Sequence, residues 1–163
     1  MVMQIFNEIK NSTHPNLKLI KIYGEFYGGI YPDIKSKNKP IQRTIYYCPE
    51  LDFEAFDLFY ETTDSTAEQV LNYKYACQLF EKVALPFAFI QAEGTLKDLI
   101  AKLDAEHFES TIYLKHGLNK VDGNFAEGYV IKPVDAIFID SARLSIKVKN
   151  SRCLETAPVV KPV

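Results

Sequence analysis

The stretch "LSIKVKNS", residues 144–151, alternates aliphatic and cationic side chains. On an extended backbone Ile146 and Val148 enter a core while the ammonium groups of Lys147 and Lys149 share the opposite face. A second stretch, "GYVIKPV" (128–134), reads as another strand. Working outward, "LKLIKIYGEFY" (17–27) is a third, with Ile20 and Ile22 on one face and Leu19, Tyr23 and Glu25 on the other. "RTIYYC" (43–48) and "LDFEAFDLFY" (51–60) read as two strands separated by Pro49, and "FAFIQ" (87–91) as a short one.

Helices interrupt these strands. Val2, Ile5, Phe6 and Ile9 recur at helical spacing, and "THPN" (13–16) ends the run. Ser65 and Glu68 match the S-x-x-E capping box, followed by an apolar stripe of Val70, Tyr73, Cys77, Phe80 and Ala84 that Pro86 stops. Thr95 and Asp98 suggest another capped start, with Leu96, Leu99, Ile100 and Leu103 on one face. The expected class is α+β, mainly antiparallel sheet with flanking helices, because no regular βαβ alternation occurs. No G-x-G-x-x-G or Walker-type loop is present, so a Rossmann or P-loop nucleotide site is not supported.

The bulk numbers narrow the function classes. The chain has 163 residues, 47% hydrophobic and 25% charged, with 10 Tyr, 11 Phe and no Trp, a globular balance that favours strands. A net charge of −2 provides no global basic field, so any nucleic-acid surface must be local. Cys48, Cys77 and Cys153 form no C-x-x-C pair, and His14, His107 and His116 have no metal-ligand spacing. The N-terminus is not a secretory signal and no apolar run reaches membrane-span length, so the expectation is a cytoplasmic protein, or one working in a virus factory or organelle without a visible address.

Paired cations on a rigid strand suit a phosphate whose charge grows during transfer, although a solvated edge strand also carries lysines. Glu127, followed by Gly128, can hold a hard divalent cation beside phosphates, or can be an ordinary glutamate at a strand start. Lys132 points opposite to Glu127 by strand parity and faces phosphate or solvent. Glu25 can accept hydrogen bonds from ribose hydroxyls. Phe56 offers a π face to a base, but a strand Phe is more often core, and Phe53 competes for the same role. Asp57 reads as a structural acid. The loop "DIKSKNKPIQR" (33–43) holds Lys35, Lys37, Lys39 and Arg43, which meet either RNA phosphates or only water.

Taken in order, "YGEFYGGIYP" (23–32), "LDFEAFDLF" (51–59), "AEGYVIKP" (126–133) and "LSIKVKNS" resemble motifs III, IIIa, IV and V of the covalent nucleotidyltransferases, the ligases and capping enzymes. "GEFYGGIYP", "EGYVIKP" and "IKVKNS" are most similar to the RNA ligase 2 family of phage RNA ligases and kinetoplastid RNA-editing ligases, and "YYCPELDFEAFDLFY" (46–60) to the editing branch. The resemblance implies a partial adenylyltransferase domain over residues 1–155 with a loose tail at 156–163. It implies ATP and Mg2+ or Mn2+ as cofactors and RNA as partner, with no membrane. By resemblance Glu25 holds ribose, Phe56 stacks on adenine, Glu127 binds metal, and Lys147 and Lys149 contact the nucleotide α-phosphate.

The family reaction begins when a lysine in K-x-x-G attacks ATP. AMP then passes to an RNA 5′-phosphate, and a 3′-hydroxyl displaces it. That lysine belongs upstream of motif III, and only one short helix precedes Tyr23. "KIYG" (21–24) lies inside a strand, and "KVDG" (120–123) puts Lys120 only seven positions before Glu127, in a loop leading to motif IV. The expectation is a chain without its own nucleophile, inactive alone, with a complementing N-terminal segment or chain as partner. Missing sheet partners would leave apolar edges exposed and lower solubility. The alternatives are a non-catalytic ATP- or RNA-binding remnant, half of a split ligase, a DNA ligase or capping enzyme, or an unrelated α+β domain.

Overall fold

The computed structural model describes residues 1–104, 106–140 and 142–153, so the tail expected at 156–163 lies outside the described residues. The elements in chain order are α1 (Val2–Ser12), β1 (Leu17–Gly28), β2 (Leu51–Thr62), β3 (Ser65–Val70), α2 (Tyr73–Lys82), α3 (Leu96–Lys102), α4 (Ile112–Lys115), β4 (Gly128–Ile131), β5 (Phe138–Ile139), β6 (Ala142–Arg143) and β7 (Ile146–Lys149), followed by a 3-10 turn (Ser151–Cys153). The class is α+β, and the pairs β2–β3, β4–β7 and β5–β6 are antiparallel. Among the described residues no helix is long and apolar enough to cross a membrane.

The chain divides into two compact units. The first comprises Met1–Tyr27, Leu51–Gln91 and Pro133–Leu144. Its sheet has the order β1-β2-β3. Ile5 and Ile9, one helical turn apart on α1, are fully buried with Ala55 and Leu58 of β2 and Ala76, Leu79 and Phe80 of α2. Burying a side chain such as Phe80 contributes roughly 1.5–3 kcal/mol. Glu8 of α1 pairs with Lys82 of α2 at 2.8 Å across the same contact.

Two sequence expectations fail in this unit. Ser65 does not open a helix; Ser65–Val70 is β3, paired to β2 through Phe59↔Val70 and Thr62↔Ser65. The Ser65 hydroxyl accepts from Ala67 N at 3.2 Å, and Glu68 pairs with Lys21 at 2.6 Å instead of closing a capping box. The helix starts later, where the Asn72 side chain accepts from Lys74 N (3.0 Å) and Tyr75 N (3.4 Å). "FAFIQ" makes only a bridge, in which Ala55 N donates to Pro86 O and Ala88 N to Ala55 O, both at 2.9 Å.

The second unit comprises Gly28–Glu50, Ala92–Lys132 and Ser145–Val163. The capped start at Thr95 is present: its hydroxyl accepts from Asp98 N at 3.2 Å and donates to Asp98 Oδ2 at 2.7 Å. "RTIYYC" is not a ladder strand. Asn124, 6% exposed, accepts from Tyr46 N at 2.8 Å and donates to Tyr46 O at 2.7 Å, so one side chain takes the place of a neighbouring strand.

Candidate functional site

In the second unit β4 and β7 pair in the register Gly128↔Lys149, Tyr129↔Val148, Val130↔Lys147 and Ile131↔Ile146. Residues directly opposite share a face, so Lys147 and Lys149 stand beside Val130 and the bare backbone of Gly128. A Cβ on Gly128 would lie 2.0 Å from Val148 O, and its φ is +149°. Glycine therefore lets the two strands close at the end where Lys149 projects. The opposite face is apolar, and Tyr129 is fixed through its hydroxyl, which donates to Leu103 O at 2.7 Å.

Glu127 enters this ladder end. Its carbonyl accepts from Asn150 N at 2.7 Å, and its half-buried carboxylate lies 3.0 Å from Lys149 Nζ. Lys147 is exposed and makes no ion pair among the described residues. Beyond β7 the chain is tied by Glu106, whose carboxylate accepts from Ser151 N and from the Ser151 hydroxyl, both at 2.7 Å. These bonds hold the Glu106 carboxyl below the usual glutamate range, the hydroxyl bond contributing most. Asn150, 1% exposed, donates to Glu106 O at 3.3 Å and accepts from Arg152 N at 3.0 Å. Glu106 has no sequence signal of its own, whereas Asn150 and Ser151 lie within the quoted motif.

The other expected site residues belong to the first unit. Glu25 is exposed near the end of β1. Phe56 is half-buried and lies outside the apolar core cluster, whereas Phe53 packs against it. Asp57, buried beside Phe56, pairs with Arg143 of β6 at 2.6 Å, and the Arg143 guanidinium sits 5.8 Å over the Phe59 ring. A buried carboxylate held this way fixes the middle of β2 to the β5–β6 hairpin. Lys132 is half-buried. Lys120 pairs with Glu109 at 2.7 Å, and this partner raises its pKa. A nucleophilic lysine requires the reverse shift.

Among the described residues no group of three or more His, Cys, Asp and Glu could hold a metal. One carboxylate such as Glu127 fits a cation of the Mg2+ type, which binds through one or two carboxylates and completes its shell with water and substrate phosphates.

The family model described as RNA ligase matches residues 3–149. This chain belongs to the RNA ligase family. It is 33% identical over 135 residues to the mitochondrial RNA-editing ligase 2 of Trypanosoma brucei brucei (strain 927/4 GUTat10.1), an alignment covering 71% of this chain. The chain spans about a third of the length of that relative (32%). RNA ligase family membership agrees with the motif order, and the trypanosome relative with the likeness of residues 46–60 to the editing branch. An α+β fold with antiparallel pairs is also what a nucleotidyltransferase-type member of this family should have.

Proposed function

We propose that this chain forms the nucleotide- and metal-handling part of an ATP-dependent RNA ligase that joins 5′-phosphate and 3′-hydroxyl RNA ends. The observation that supports it most is the β4–β7 ladder, with two lysines on one face and the Glu127 carboxylate 3.0 Å from Lys149. Lys147 and Lys149 neutralise the α-phosphate of ATP as charge develops there. Glu127 would hold Mg2+ or Mn2+, which when bound would supply charge screening to the nucleotide phosphates. Phe56 stacks on adenine and Glu25 accepts from ribose hydroxyls. In the first step a lysine nitrogen forms a bond to the α-phosphorus, loses its proton, and the bond to pyrophosphate breaks. We assign that nucleophile to neither K-x-x-G match, because Lys120 pairs with Glu109 and Lys21 lies in β1 paired with Glu61 and Glu68.

Two measurements test this reading. In calorimetric titration with ATP and Mg2+, Lys147→Ala and Lys149→Ala should each weaken binding by about 10- to 100-fold, the worth of a charge-assisted hydrogen bond. Unchanged binding in the double variant would sink the proposal. With ATP labelled at the α-phosphate the chain should stay unlabelled. A labelled band that disappears in Lys120→Ala would make "KVDG" the nucleophile motif.

A further inference from the structure

Several cations in this protein are matched by carboxylates. Lys18 and Lys21 pair with Glu61, Lys82 with Glu8, Lys120 with Glu109 and Lys149 with Glu127. The loop 33–43 instead concentrates cations in a short stretch. Lys35, Lys37, Lys39 and Arg43 are all exposed, and none makes an ion pair or hydrogen bond through its side chain among the described residues. Asp33 is the one acidic residue in this loop, against four cations. Glu50, which lies against the loop, accepts from the neutral Asn38 amide at 2.6 Å and so neutralises none of the lysines.

The loop backbone is nonetheless held. Gly29 N donates to Cys48 O (3.0 Å) and Glu50 O (3.1 Å), and Ile41 N to Gly28 O (3.0 Å). Gly29 has φ +91°, and a Cβ there would meet Lys39 O at 2.7 Å and Pro40 Cα at 2.8 Å, so only glycine lets the loop seat this closely. Asn38 N donates to the Ser36 hydroxyl at 3.0 Å. A seated backbone carrying unneutralised cations loses little order when it meets a polyanion, and the counter-ions released from that polyanion supply the driving force.

We propose that this loop is a contact surface for the phosphate backbone of RNA, resting on the RNA ligase reading for the identity of the polyanion. The contact is independent of base sequence, because exposed lysine ammonium groups meet phosphate as point charges.

The test is fluorescence anisotropy of a single-stranded RNA oligonucleotide, 5′-phosphorylated and labelled at its 3′ end, across a salt series. Each lost phosphate contact should remove about 0.7 from the slope of log affinity against log salt. Lys35→Gln/Lys37→Gln/Lys39→Gln should therefore make the slope shallower by about 2 while ATP–Mg2+ binding stays unchanged. The control Lys97→Gln/Lys102→Gln removes exposed charges from α3 and should leave the slope nearly intact. An unchanged slope in the triple variant, or an equal fall in the control, overturns the proposal, as does wild-type protein that binds no RNA. Tighter binding of an acidic peptide than of the RNA at equal charge concentration also overturns it, in favour of a protein partner. Failure of ATP binding with an intact RNA slope would instead refute the nucleotide-handling reading alone.

Discussion

The first unit closes on apolar side chains: Ile5, Ile9, Ala55, Leu58 and Phe80 are at most 1% exposed. The second unit also buries Asn124 and Asn150, and directional bonds from these two amides tie its backbone. Apolar packing is non-directional and tolerates some rearrangement. Hydrogen-bonded amides hold backbone in one geometry and fail when one partner is removed. The ladder that carries Lys147, Lys149 and Glu127 is tied in the second way, through Asn150 and Glu106.

The strongest way to break the contrast is in the apolar unit. Phe80→Ala should cost about 3–5 kcal/mol in urea unfolding, since its fully buried ring leaves a cavity. A loss below about 1 kcal/mol would mean that the core collapses around the gap. Next in size is Asn124→Ala, which strands Tyr46 N and O at about 1–3 kcal/mol for each group left unpaired in a buried site. Hydrogen exchange should show Tyr46 losing protection while α2 keeps its own; equal loss in both places would erase the distinction between the units.

The smallest effect is Glu106→Gln, and it depends on pH. A carboxyl whose folded pKa is lowered adds stability above the ordinary glutamate range and loses it as pH falls through the lowered value. Urea midpoints of wild type and variant should thus differ at neutral pH and converge toward about pH 2. A constant gap across that range would remove Glu106 from the account of how β7 is tied.

Periodicity made α1, β1 and β2 legible, because each has one face committed to the core. The alternation in 146–149 was legible for the same reason, and the antiparallel register adds which backbone lies opposite each lysine. The S-x-x-E at Ser65 misled because a capping pattern is local, whereas β3 is set by pairing with β2 after a two-residue turn. "RTIYYC" looked like a strand, and its backbone demand is met by an amide distant in sequence, which no window can display. The pairing of Asp57 with Arg143 and the bonds from Glu106 to Ser151 are invisible for that reason too. Ile137 and the β5 residues Phe138 and Ile139 are exposed apolar side chains that no sequence pattern singled out.

The 3.0 Å contact between Lys149 and Glu127 makes each the counter-ion of the other. A divalent cation drawn to Glu127 loosens the ammonium, and an anion drawn to Lys149 bares the carboxylate. Either ion arriving alone must break the pair without replacing both halves. When they arrive together, both charges are rematched at once. If Glu127 holds the metal and Lys149 the nucleotide, as proposed above, their affinities would be coupled, each raising the other by the same factor whichever binds first. Under the roles proposed above, the pair would admit metal and nucleotide jointly in preference to either one by itself.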